Sequence, residues 1–206
     1  MARLFHLCVM ISLIPLLVMC SSVPAKDPGD NAGSVFQMDS VKLEHLIKIS
    51  YLDNTYIFHG FFLKKKNGFS VFAFGDFDVP LFTLTAKNNM ISYRVHINDL
   101  KDSFNFKHVG EDIWRIYFAE TRKDIVQFGK LNEGIIERHI ELRYDSKNNL
   151  KNKYFYDQEK RKIITINYND YDLINGVKLP RDITYENTLY QYKIKVLTVN
   201  CSPFLN

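Results

Sequence analysis

The sequence is short of the residues that build covalent frameworks and reactive centres. Its 206 residues include three cysteines, six histidines, six prolines and nine glycines. Cys8 and Cys20 belong to the N-terminal apolar segment or its end, so Cys201 is left without a partner in the remaining chain. That excludes a disulfide framework and a thiolate metal site. His6 lies in the same N-terminal segment, and His45, His59, His96, His108 and His139 sit apart without HxxxH or HxH spacing, which argues against zinc. GxSxG, GxGxxG, Walker-type and CxxC patterns are all missing. Asp76 and Asp78 bracket Phe77 in GDFDVP, a pattern of turn formers rather than cation ligands, and Glu111-Asp112 beside Trp114 reads as a loop edge. The expectation is a protein that is not an enzyme, with no catalytic residues, no metal and no cofactor.

Charge of one sign is also scarce. The formal net charge is +4, too mild and too scattered for a dedicated nucleic-acid protein. The one basic run, Lys64-Lys65-Lys66 before Asn67-Gly68, reads as a solvated hairpin tip.

Beyond the N-terminus there is no long apolar run. The segment from Leu4 to Met19 follows a lone Arg3 and contains Pro15; at roughly 16 residues it is shorter than the ~20 of a membrane span and suits a signal peptide over residues 1–19. Leu17-Val18-Met19-Cys20 has the order of a lipobox, which makes Cys20 a lipidated first residue; cleavage after Ala25 in Val23-Pro24-Ala25 is the competing reading. Residues 20–34, with SSVPAKDPGDNAGS after the cysteine, are polar and aperiodic and read as a tether.

What the chain has is aromatic and β-branched material. It is 46% hydrophobic and 14% aromatic, with 16 Phe and 12 Tyr, enough for one well-packed domain over residues 35–206. Val41-Lys-Leu-Glu-His-Leu-Ile-Lys has helical spacing with Asp39 or Ser40 as cap. After Ser50 short apolar runs alternate with turn signals. Strands are expected at 56–63, 69–75, 81–85, 90–97, 113–118, 125–129, 135–144, 154–158, 162–168, 181–186 and 190–199, with a short helix at 98–104. The fold class is mainly β, one antiparallel sheet rolled toward a barrel or a two-sheet sandwich. Inward positions read as Phe72, Phe74, Trp114, Ile116, Tyr192, Ile194 and Val196, with Phe72 and Phe74 preferred over Val71 and Ala73 by size. Eight phenylalanines between Phe58 and Phe82 fit either an ordinary core or the lining of an apolar ligand site.

Two stretches carry a resemblance. ITINYNDYDLINGVKLPRDITYENTLYQYKIKVLTVN, residues 164–200, has a strand ending at Tyr168, then Tyr171, Pro180, Ile183 and a last strand Tyr192-x-Ile194-Lys195-Val196. Upstream, residues 68–104 give strand, Pro-containing connection, two strands and a short helix. This order resembles LolB and the LolA/LolB lipoprotein-sorting fold family. The resemblance implies an incomplete, half-open barrel covered by short helices, with an apolar cavity for acyl chains such as palmitate. It further implies a monomeric lipoprotein of the outer membrane, facing the periplasm, whose partners are acylated lipoproteins or lipids and the membrane itself. Phe61, Phe62 and Leu63 are the nearest match to that family's membrane-contact loop. A structural or partner-binding lipoprotein with a side-chain-filled core is the alternative.

Overall fold

In the computed structural model the described residues are 34–51, 53–88, 90–101, 105–121, 124 and 137–203. The signal peptide, Cys20, all but the last residue of the tether, and the strand expected at 125–129 lie outside them.

Ten antiparallel strands form one sheet in the order β5-β4-β3-β2-β1-β10-β9-β8-β7-β6. They are β1 (Val41–Tyr51), β2 (Asn54–Lys65), β3 (Gly68–Phe74), β4 (Pro80–Lys87), β5 (Met90–Val95), β6 (His139–Tyr144), β7 (Leu150–Tyr156), β8 (Lys162–Ile174), β9 (Val177–Asn187) and β10 (Tyr192–Pro203). Each strand pairs with its sequence neighbour except at the centre, where β1 meets β10 in register from Val41↔Pro203 to Tyr51↔Tyr192. Edge strands β5 and β6 do not pair, so the sheet stays open.

The helix α1 (Phe106–Tyr117) lies on one face of the sheet. Its side chains and C-terminal carbonyls meet Tyr93 of β5 and Phe82 of β4 at one side, and Tyr168 of β8 and Lys153 of β7 at the other. From β5 to β7 the order counts nine strands, which would span roughly 38 Å if flat at the usual strand spacing. A helix of 12 residues is about 18 Å long. The sheet therefore curls around α1, and the face toward the helix is concave.

Several elements depart from the sequence reading. Residues 41–48 form strand, not helix. Leu43, Leu46 and Ile47 mimic helical spacing, but Val41, Leu43, His45 and Ile49 are buried between two paired neighbours, and pairing on both sides outweighs weak local propensity. Leu46, like Lys42 and Glu44, is an even position of the alternation and faces outward, 43% exposed, while the bulge between Glu44 and His45 is taken up by Val199 of β10. Conversely, Ile113–Phe118 is not a strand. Val109, Ile113, Ile116 and Tyr117 fall at i, i+4, i+7 and i+8 within α1, the stripe a one-sided helix needs. Asn105 caps it, its Oδ1 accepting from the amides of Lys107 and His108 at 3.2 and 3.4 Å. The short helix expected at 98–104 is a 3-10 turn at Asn98–Leu100, with 102–104 outside the described residues. The Asn175-Gly176 hairpin, with φ of 51° and 79°, joins β8 to β9 and extends both strands past the expected ends.

Candidate functional site

The concave face and α1 enclose an apolar cavity of about 50 Å³. Its floor comes from β1, β2 and β10, with Ile47, Ile49, Phe58, Ile194 and Val196; its roof comes from Val109, Ile113, Ile116 and Tyr117 of α1. Gly60 lies at the wall, and the sequence puts glycine there for a physical reason: a Cβ would meet the Phe72 carbonyl oxygen at 2.5 Å. His45 is the one polar lining side chain besides Tyr117. Its Nε2 lies 3.0 Å from the Tyr117 hydroxyl. Burial lowers its pKa to about 3, so the ring is neutral.

Two polar anchors hold α1, and both sit on the β7–β10 side. In the first, Asp112 accepts hydrogen bonds from the Tyr185 and Tyr192 hydroxyls. Arg115 then bridges Asp112 at 2.9 Å and Glu137 at 2.5 Å, with Glu111 at 3.8 Å. Burial raises the Asp112 pKa, opposed by the Arg115 charge and by the two tyrosine hydroxyls. In the second, Lys153 is fully buried and its Nζ donates to the carbonyls of Arg115, Ile116 and Ala119 at 3.2, 3.1 and 2.9 Å. The first two are C-terminal carbonyls that a helix leaves unpaired, and Ala119 lies just past the helix end. Tyr168 donates to the Ile116 carbonyl as well, at 2.7 Å. Burial lowers the Lys153 pKa to about 7. Toward β4 and β5 the helix makes apolar contact instead, as in the Phe106–Phe82 and Phe106–Tyr93 ring pairs.

The residues singled out from sequence divide accordingly. Ile116, Ile194 and Val196 border the cavity. Trp114 is on α1 and stacks on Phe118 at 4.6 Å, away from the lining, and Tyr192 belongs to the Asp112 anchor. Phe72 and Phe74 occupy the outer face, Phe72 being 37% exposed, while Val71 and Ala73 point inward. Side-chain size misassigned that face: the small Ala73 takes the inner position, paired with Gly60 on β2. Glu111 and Asp112 are not a loop edge but buried helix residues. Lys64 is not at a solvated tip. It is buried and donates to the Val35 and Phe36 carbonyls at 3.0 and 2.7 Å, and burial lowers its pKa to about 8. His45, Arg115 and Lys153 escaped the sequence reading; the alternation Val41-x-Leu43-x-His45 and Leu150-x-x-Lys153-x-Phe155 was the available signal.

Phe61, Phe62 and Leu63 do not form a loop. They lie within β2, and Phe62 stacks on Tyr117 at 4.4 Å in the core. The exposed apolar tip is elsewhere, at Phe77 between β3 and β4. Phe77 is 99% exposed. Its φ of 56° and that of Asp78, 58°, are left-handed, costly for a side chain with a Cβ. His59 steadies the turn through the Gly75 carbonyl and Asp78, each at 3.3 Å.

No family model matches the sequence, and no curated protein matches it. Solved structures do. A LolA superfamily protein from Nitrosomonas europaea superposes with a TM-score of 0.53 at 15% identity, over 87% of this chain and 91% of that one. A DUF1329 family protein from Desulfovibrio piger gives 0.49 at 10% identity, over 87% and 92%. A domain named for outer membrane lipoprotein sorting, from Vibrio parahaemolyticus, gives 0.45 at 8% identity, over 80% and 85%. The chain shares the fold of the first; the other two scores carry no weight.

Proposed function

We propose that this protein is a cell-envelope lipoprotein that binds the acyl chains of lipoproteins or lipids between α1 and the concave sheet, without chemistry, and holds or passes them at the outer membrane. The observation that carries the reading is the apolar space beneath a helix whose Asp112 and Lys153 anchors lie on the β7–β10 side. The space of about 50 Å³ is smaller than the ~150 Å³ that admits benzene in an engineered core. An acyl chain therefore enters by displacing α1 from β4 and β5, where the described side-chain contacts are ring pairs such as Phe106–Phe82 and Phe106–Tyr93. Each methylene buried there is worth about 0.8 kcal/mol, so a long chain offsets the contacts that α1 gives up. The fold shared with a LolA superfamily protein supports the same reading. In it Cys20 carries the anchoring lipid, residues 21–34 are the tether, and Phe77 rather than Phe61, Phe62 and Leu63 touches the bilayer.

The small cavity favours a second reading, a core filled by its own side chains in a lipoprotein that only docks a protein partner. Native mass spectrometry and organic extraction of protein purified from a bacterial envelope separate the two. Acyl-bearing ligand at one per chain supports the carrier; an empty extract from fully folded protein supports the filled core.

A further inference from the structure

The ring of His45 poses a problem that the carrier reading alone does not solve. It is 3% exposed, borders an otherwise apolar cavity and has a buried Nδ1 with no hydrogen-bond partner among the described residues. An unmade hydrogen bond of this kind is expensive, and buried polar atoms are nearly always paired. The tautomer follows from the neighbour. The Tyr117 hydroxyl is buried as well and has His45 Nε2 as its hydrogen-bond partner, at 3.0 Å. If Nε2 carried the proton, the tyrosine proton would have no acceptor among the described residues. Tyr117 therefore donates to Nε2, and in a neutral ring the proton then sits on Nδ1. What remains is one N–H donor, buried at the cavity and lacking an acceptor.

Resting on the acyl-carrier reading, we infer that His45 Nδ1–H donates to the carbonyl oxygen at the head of the bound acyl chain, and that the ligand is a neutral acyl ester or amide rather than an ionised fatty acid. The cavity offers no cation: its lining is apolar apart from His45 and Tyr117. A carboxylate brought there would lose its hydration without an opposing charge, which costs far more than one hydrogen bond returns. An ester or amide carbonyl makes no such demand and needs one donor. Chains already esterified in a lipid, or attached to the N-terminus of a lipoprotein, have that group; free fatty acids at neutral pH do not.

Displacement of the hydrocarbon probe diphenylhexatriene by methyl laurate, tridecane and sodium laurate at pH 8, on the wild type and on His45→Phe, tests this. The wild type is expected to prefer methyl laurate over tridecane, and His45→Phe to reduce that preference about tenfold, the worth of one buried hydrogen bond, while tridecane binds both alike. Laurate should compete poorly with either. In parallel, ¹⁵N spectra of the imidazoles in wild-type protein should show His45 Nδ1–H shifting with methyl laurate and not with tridecane, a readout that does not depend on the variant folding. An equal preference in both proteins with an unmoved Nδ1–H, or laurate binding as tightly as its ester, overturns the inference and leaves the carrier reading standing. If none of the three displaces the probe from wild-type protein, both readings fall.

Discussion

Phe77 shows most plainly what single residues contribute. A phenylalanine exposed at 99% on a left-handed turn gives the fold nothing, so its role is to be sought outside the fold. Placing a phenyl ring in a bilayer is worth about 1.5–3 kcal/mol. Phe77→Ser in a Cys20→Ala background should lower sedimentation with phosphatidylethanolamine/phosphatidylglycerol vesicles about tenfold or more while leaving the thermal midpoint unchanged; equal sedimentation would remove Phe77 from the account. The sequence shows the apolar residue and the acidic turn around it, but not that β3 and β4 project it. For the same reason Phe61 and Phe62 looked exposed beside a run of lysines. Lys64 is in fact an inward strand position, and its long stem carries the charge to backbone carbonyls at the rim.

At the scale of elements, α1 is fixed by charge on one side and by apolar contact on the other. Arg115→Ala would leave Asp112 and Glu137 buried without their cation, so a loss of about 3–5 kcal/mol is expected in urea unfolding; a loss under 1 kcal/mol would mean that the cluster does not hold the helix. Lys153 gives a pH signature. Its folded pKa of about 7 lies below its unfolded value. Between those values the unfolded chain binds the extra proton. The contribution of Lys153 is therefore complete above the unfolded pKa and is lost as pH falls toward 7. Stability should rise from pH 7 to 10 with a slope of up to about 1.4 kcal/mol per unit, shared with Lys64 in its own window above about 8. Lys153→Met should flatten the slope near pH 7 to 8; an unchanged slope would contradict the assignment. Helix α1 was the least legible element. Its stripe begins after the Asn105 cap, and Ile113-Trp-Arg-Ile-Tyr-Phe118 read alone is an aromatic and β-branched run that suits a strand. The long strands were readable because alternation and the Asn67-Gly68 turn agree. β1 was not, because the outward Leu46 beside Ile47 adds an apolar residue that mimics helical spacing.

For the molecule as a whole, the class of fold was in the sequence and the site was not. Ten strands with turn signals between them make an antiparallel sheet, and its openness follows from edge strands β5 and β6, which find no strand partner among the described residues. Which residues face α1 depends on curvature, and curvature is a property of all the strands together. Hence Ile194 and Val196 could be placed from the alternation in β10, whereas His45, Gly60 and the two anchors required the structure. The central claim is that an acyl chain enters under α1 and moves it. Trp114 is the one tryptophan in the chain and rides on that helix against Phe118. Its emission during titration with methyl laurate, below the concentration at which the ester aggregates, is the most direct measurement. A saturable shift at one ligand per chain is expected, abolished when the chain is shortened to methyl butyrate. An emission spectrum that does not change, or that changes without saturating, would contradict it.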